Sequence, residues 1–134
     1  MTHRLITIRF SHYCEKARWA LDRAAVPYVE ESHVPILSWL ATFGVGAKRT
    51  VPALVTETGT LSDSTDILHW VDKQSGATPL FLNSSKEVEA EIAAWENDFD
   101  LHLGPAARRI TYFMMMGERK RVRSLMMSAG TPWD

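Results

Sequence analysis

The chain has a single cysteine, Cys14, in 134 residues, so no intramolecular disulfide framework can hold it together. It has no apolar run approaching the ~18 uncharged residues of a membrane helix. The stretch from Met1 to Ile8 lacks an apolar segment long enough for a secretory leader. These absences make a reducing cytosol the default compartment and exclude a membrane-spanning role. The five histidines show no metal-ligand spacing and have no cysteine cluster beside them, so no metal is expected. No phosphate-binding loop and no GxGxxG pattern occurs. A net charge of −1 gives no general attraction to nucleic acid.

What remains is an ordinary globular composition, with 46% hydrophobic and 23% charged residues. That balance excludes a disordered or low-complexity chain. The charge is nevertheless segregated. Residues 1–104 carry 9 Lys and Arg against 14 Asp and Glu, whereas residues 105–134 carry 6 against 2.

Leu5, Ile6, Ile8 and Phe10 predict a strand over His3 to Phe10, with Leu5 and Ile6 buried on opposite faces. Ser11 starts a turn. From Tyr13, Ala17, Ala20, Leu21 and Ala24 recur at helical spacing, and their small size implies close packing on a sheet. Pro27 ends that helix, and Tyr28 to Glu31 reads as a second strand. Pro35 suits the first turn of a second helix whose apolar face is supplied by Ile36, Leu37, Trp39, Leu40 and Phe43. Gly44 and Gly46 break it. Val51 to Val55 predicts a third strand opened by a proline, and Thr58-Gly59 a tight turn into a fourth strand carrying Leu61. Ser62, Asp63 and Ser64 are N-cap candidates for a helix running to about Gly76 with Ile67, Leu68, Trp70 and Val71 inward. The order strand, helix, strand, helix, strand, strand, helix implies a small α/β unit with one parallel crossover and one hairpin.

Residues 77–85 read as a linker. A long helix follows from Lys86, with Val88, Ile92, Trp95 and Phe99 on one stripe and the charged residues between them in solvent. Gly104-Pro105 is expected to interrupt or kink it. Ile110, Phe113 and the Met114-Met115-Met116 run continue the stripe to Gly117. Arg119-Lys120-Arg121-Val122-Arg123 with Leu125, Met126 and Met127 begins one further short helix; the basic run reads as a solvated face.

Three motifs stand in order on these elements: Ser11-His12-Tyr13-Cys14, Thr50-Val51-Pro52-Ala53-Leu54, and Leu61-Ser62-Asp63-Ser64-Thr65-Asp66-Ile67. Together they resemble the glutathione S-transferase superfamily. The resemblance implies a thioredoxin-like βαβαββα domain over residues 1–76, a linker over 77–85, and a truncated all-α segment over 86–134. It implies that Ser11, in the first place of its four-residue box, is the catalytic group of a serine-type enzyme that activates glutathione's thiol for attack on a small electrophile. It implies a cis bond at Val51–Pro52 that exposes the Val51 backbone to the cysteinyl part of glutathione. Asp63 then suits the γ-glutamyl ammonium and Ser64 its carboxylate, although the family more often has Glu where Asp63 stands. Arg49 or Lys48 is a candidate for the glycine carboxylate. Glutathione is the co-substrate expected, with no metal.

By their residues alone these positions keep plainer readings. Ser11, Asp63 and Ser64 are good helix caps, and Cys14 is a small buried hydrophobe. The live alternative for Cys14 is a reactive thiol, with Lys16 and Arg18 nearby to favour a thiolate. His12 and Tyr13 belong to the first turn of the helix at the mouth of the site. The apolar stripe of the second half calls for cover, either a homodimer or a partner chain. A glutathione-dependent transferase and a non-catalytic assembly module or truncated remnant with a vestigial site are therefore the readings in play.

Overall fold

The computed structural model describes residues 2–35, 37–74, 79–81, 85–118, 120 and 122–124. Four strands form one sheet in the order β2-β1-β3-β4. They are β1 (His3–Thr7), β2 (Tyr28–Ser32), β3 (Ala53–Thr56) and β4 (Gly59–Leu61). β1 and β2 run parallel, with Leu5 opposite Glu30. β3 runs antiparallel to both β1 and β4, pairing Leu5 with Leu54 and Leu54 with Leu61. Leu5, Ile6 and Thr7 are all fully buried, as a central strand covered on both faces requires. β1 stops at Thr7 rather than at Phe10, because the Ser11 N–H donates to the Ile8 carbonyl and closes a turn over residues 8–11.

Helix α1 (His12–Arg23) lays Ala17, Ala20 and Leu21 on the sheet beside Ile67, Leu68 and Val71 of α3 (Ser64–Val71). α3 ends five residues before Gly76. Asp72 caps the turn that follows, accepting from the Leu80 and Phe81 N–H groups at 2.8 and 2.7 Å. Phe81 thereby closes the core. Most of the expected linker, residues 77, 78 and 82–84, lies outside the described residues.

Helix α2 (Ser38–Gly44) departs from expectation. It starts three residues after Pro35, and the face it buries is polar, with Ser38 and Thr42 packed inward. Their hydroxyls donate to the Pro35 and Trp39 carbonyls, so neither is buried without a partner. Leu37, Trp39, Leu40 and Phe43 are exposed instead; Ile36 lies outside the described residues. β3 likewise begins at Ala53 rather than Val51, since Pro52 has no N–H for a ladder.

The second half is one long helical arm: α4 (Lys86–Asp98), a π-helical turn (Phe99–Leu103) and α5 (Gly104–Met116). The α-helix is interrupted as expected near Gly104-Pro105, by the π-turn that immediately precedes it, and continues beyond. The Gly104 N–H donates to Phe99 O, five residues back. In that register residue 105 is the donor due to the Asp100 carbonyl, and proline has none. The Tyr13 phenol of α1 supplies the missing hydrogen bond, donating to Asp100 O at 3.1 Å. Gly104 is buried against the same side chain. Not all charges on α4 face solvent: Glu96 and Asp100 point to α1, where Lys16 Nζ meets Glu96 Oε1 at 2.5 Å and Asp100 Oδ2 at 3.2 Å. Thr65 of α3 donates to both carboxylates. The basic run is described only at 120 and 122–124, so the further helix expected through Met127 lies largely outside the described residues.

Two predictions follow from this docking. A Cβ at position 104 collides with Tyr13 Oη and meets Cζ at 2.9 Å. Gly104→Ala is expected to destabilise the fold by about 1–3 kcal/mol in urea unfolding, the usual cost of overpacking. Lys16→Met leaves two carboxylates facing each other and is expected to cost about 2 kcal/mol, below the full value for a buried pair because this one is partly exposed.

Candidate functional site

The loop between β1 and α1 is fixed from below. Buried Arg18 donates through Nη2 to the Arg9 carbonyl at 3.2 Å. The same guanidinium is held by Glu30 at 2.9 Å and Glu15 at 2.6 Å, and Thr7 donates to Glu30 at 2.5 Å. Ser11 is thus set at the end of a rigid loop. Its backbone is extended and its Oγ accepts from the Cys14 N–H at 3.4 Å, the geometry of an N-cap. The hydroxyl hydrogen remains available to donate. The N-cap and site-residue readings of Ser11 are therefore compatible in one position.

Cys14 points away from the cleft. It is fully buried, beneath the Ile8 N–H at 3.5 Å. Burial pushes its thiol up in spite of the Ser11 and Ile8 hydrogen bonds. Lys16 is committed to Glu96 and Asp100; Arg18, paired with Glu30 and Glu15, still favours the thiolate, but less than burial opposes it.

Val51–Pro52 is cis. Across from it, Asp63 caps α3, its Oδ1 accepting from the Thr65 N–H at 2.9 Å. Ser64, the first residue of α3, is buried, and its hydroxyl makes no hydrogen bond to a described residue. Arg49 lies 5.9 Å from the Trp39 ring centroid. Lys48 takes part through its backbone, its N–H donating to Ser62 Oγ.

Two adjoining clefts collect these residues. One, of about 280 Å³, is lined by Ser11, Arg49 and Val51 together with Phe10, His12 and Pro35. The other, of about 290 Å³, is lined by Val51, Pro52, Asp63 and Ser64. Tyr13, Thr50, Val51 and Arg108 line both. Of the expected site residues, all but Cys14 and the alternative Lys48 border this joint space.

The opposite wall was not foreseen. Arg108, Thr111 and Tyr112 of α5 line the first cleft, and Arg108 stands 5.5 Å over the Tyr13 ring. Arg108 is one turn beyond Gly104, on the face that docks. A glycine inside a helical pattern was the available signal, since it marks close approach as well as a break. Neither Arg49 nor Arg108 makes an ion pair among the described residues. Burial, and then the Arg108 charge, hold His12 below the usual imidazole range, which disfavours a further cation there. Two guanidinium groups and two helix N-termini give the space a positive character. Asp63 and Asp100 are the carboxylates on its lining, Asp63 exposed and Asp100 paired with Lys16. Among the described residues no cluster of His, Cys, Asp and Glu is arranged to hold a metal ion. None of the described helices is long and apolar enough to cross a membrane.

The state of Cys14 can be read directly. Ellman's reagent is expected to label the native chain at least 100-fold more slowly than the urea-unfolded chain, because the thiol is both covered and protonated.

A family model described as the glutathione S-transferase N-terminal domain matches residues 5–79. No curated protein matches the sequence. Among solved structures, a Tau class glutathione S-transferase from mango, Mangifera indica, is 24% identical with a TM-score of 0.63, covering 83% of this chain and 51% of that one. A glutathione S-transferase from Pseudomonas fluorescens is 20% identical at a TM-score of 0.67, covering 97% and 67%. One from Ceriporiopsis subvermispora, in complex with glutathione, is 22% identical at 0.53, covering 74% and 47%. The chain thus spans about half the length of the Mangifera and Ceriporiopsis proteins. At these identities the likeness speaks for the fold, a thioredoxin-like sheet followed by a long helix. The family model, in contrast, covers over half of the sequence and spans β1, α1, the cis-proline turn and α3. By that match the chain belongs to the glutathione S-transferase family.

Proposed function

We propose that the chain binds glutathione across the two adjoining clefts and activates its thiol. The observation that carries this reading is the convergence of Ser11, Arg49, Val51, Asp63 and Ser64 on one continuous space. The γ-glutamyl end lies at α3, its carboxylate against Ser64 and the helix N-terminus, its ammonium against Asp63. The cysteinyl part pairs with the Val51 backbone, and the glycine carboxylate meets Arg49, which binds it bidentately. The sulfur then rests at Ser11. A hydroxyl donating to sulfur favours the thiolate, as does the positive end of α1. Each unit by which the thiol's pKa is lowered is worth about 1.36 kcal/mol. The thiol proton leaves to solvent. The thiolate then forms a carbon–sulfur bond to a small electrophile as the leaving group departs with its electron pair. A reducing cytosol is the setting that supplies glutathione.

A second reading is supported by the exposed apolar residues of α2 and the helical arm. In it the same fold serves assembly, and glutathione binds without turnover.

Calorimetry with glutathione tests the first reading. Wild-type chain is expected to bind, and Ser64→Ala to bind roughly tenfold more weakly, the loss of one hydrogen bond to a charged group. Ser11→Ala is expected to retain binding while the bound thiol's ultraviolet titration moves to higher pH. Absence of binding by folded wild-type chain overturns the proposal. Unchanged thiol acidity in Ser11→Ala leaves binding and removes the catalytic role.

A further inference from the structure

Glutathione, seated as proposed, uses all but one of the charges that border the clefts. Its ammonium meets Asp63, its γ-glutamyl carboxylate Ser64 and the start of α3, and its glycine carboxylate Arg49. The other carboxylate on the lining, Asp100, is held by Lys16 and Thr65. Arg108 is left. It lines both clefts and makes no ion pair among the described residues. A guanidinium stays charged at any working pH. A ligand seated against it is therefore favoured when it brings an anion and opposed when it brings a cation.

The surroundings of Arg108 say what else that ligand must be. Its guanidinium carbon stands 5.5 Å from the centroid of the Tyr13 ring, and the Tyr13 phenol is fixed by its hydrogen bond to Asp100 O. This contact limits where the long side chain rests and so lowers the cost of ordering it on a ligand. The His12 and Tyr13 ring centroids lie 4.1 Å apart, and Phe10 and Tyr112 border the same cleft. These rings offer faces to a flat, conjugated body. His12, held below the usual imidazole range, is neutral at pH 7 and does not compete as a cation. Thr111 spends its hydroxyl hydrogen on the Ala107 carbonyl. On the arm's side of the cleft the charge is thus carried by Arg108.

We propose that the electrophile this chain takes is a planar, conjugated molecule carrying a carboxylate, and that Arg108 selects it by pairing with that carboxylate while the reacting carbon faces Ser11. The rings supply the surface for the flat body, and Arg108 supplies the preference for the anion. Arg108 is a specificity-determining residue in this scheme: it moves no proton and forms no covalent bond. The inference rests on the glutathione reading for what the electrophile reacts with, whereas the anion site rests on Arg108 itself.

Calorimetry with para-nitrobenzoate, planar and without a leaving group, against uncharged para-nitrobenzamide reads the pairing without turnover. Circular dichroism shows that each variant folds, and the ratio of the two affinities within one variant cancels a general loosening of the cleft. Arg108 is itself exposed, so the wild-type preference for the benzoate is expected to be about five- to tenfold, below that of a buried pair. Arg108→Gln is expected to bring the ratio to about one, and Arg108→Lys to keep part of the preference, since charge survives without the fork. Saturating glutathione is expected to leave the benzoate bound, because its own glycine carboxylate takes Arg49. With glutathione present, chlorodinitrobenzoate is expected to outrun chlorodinitrobenzamide through KM rather than kcat, chloride leaving with its electron pair as the carbon–sulfur bond forms. A wild-type ratio near one overturns the inference, as does a preference that survives in Arg108→Gln, displacement of the benzoate by glutathione, or a folded wild-type chain that binds neither probe. Glutathione binding without the preference overturns this inference alone. The preference without glutathione binding overturns the transferase reading and upholds the anion site.

Discussion

Much of this molecule depends on how closely two helices approach at one point. The first turn of α1 meets the arm where Gly104 has no side chain, and the Tyr13 ring fills the space a Cβ would need. The same phenol satisfies the carbonyl that the π-turn and Pro105 leave open. Sterics and hydrogen bonding therefore demand the same arrangement. Because Ser11 precedes that turn of α1 and Arg108 follows Gly104 by one turn, this contact sets the width of the space between them. The ion pairs of Lys16 reinforce it a short way along α1.

Buried charge in this fold serves placement more than stability. Replacing a buried ion pair by apolar groups often costs little, whereas removing one partner costs several kcal/mol. Arg18 ties the Arg9 carbonyl to Glu30 on β2, and so holds the loop that presents Ser11. Lys16 ties α1 to the arm. With both cations committed to carboxylates, Arg49 and Arg108, which make no ion pair among the described residues, are the guanidinium groups that line the clefts. Positive charge is thus divided between groups that build the walls and groups that face the cleft.

The sheet and its core were legible because local rules agree there. Leu5 and Ile6 on a doubly covered strand, and alanines at helical spacing in α1, leave little choice of partner. The cap residues were legible too, since Ser11 and Asp63 announce helix starts in short-range terms. Elsewhere the sequence pattern misled. In α2 the apolar side chains read as the packed face, yet Ser38 and Thr42 turn inward because their hydroxyls find backbone carbonyls within the same short segment. Gly104-Pro105 read as an interruption, and one is there, but its π-helical form is completed by a phenol some ninety residues away, which no local rule could show. Arg108 is marked only indirectly, by Gly104 one turn before it. Its role comes from which face of the arm docks, and that is fixed by Lys16 and Tyr13.

The arm is held differently from the sheet. Gly104 is its one buried residue among those described, and Ile92 its packed apolar contact with the core. Elements with so little buried surface open more readily than the core beneath them. A ligand that touches both walls of the cleft therefore closes the arm by mass action, adding about 2.7 kcal/mol at a hundredfold excess over its dissociation constant. One that touches only α1 and α3 does not. Proteolytic nicking of the arm would then gauge whether a molecule spanning the two walls is bound.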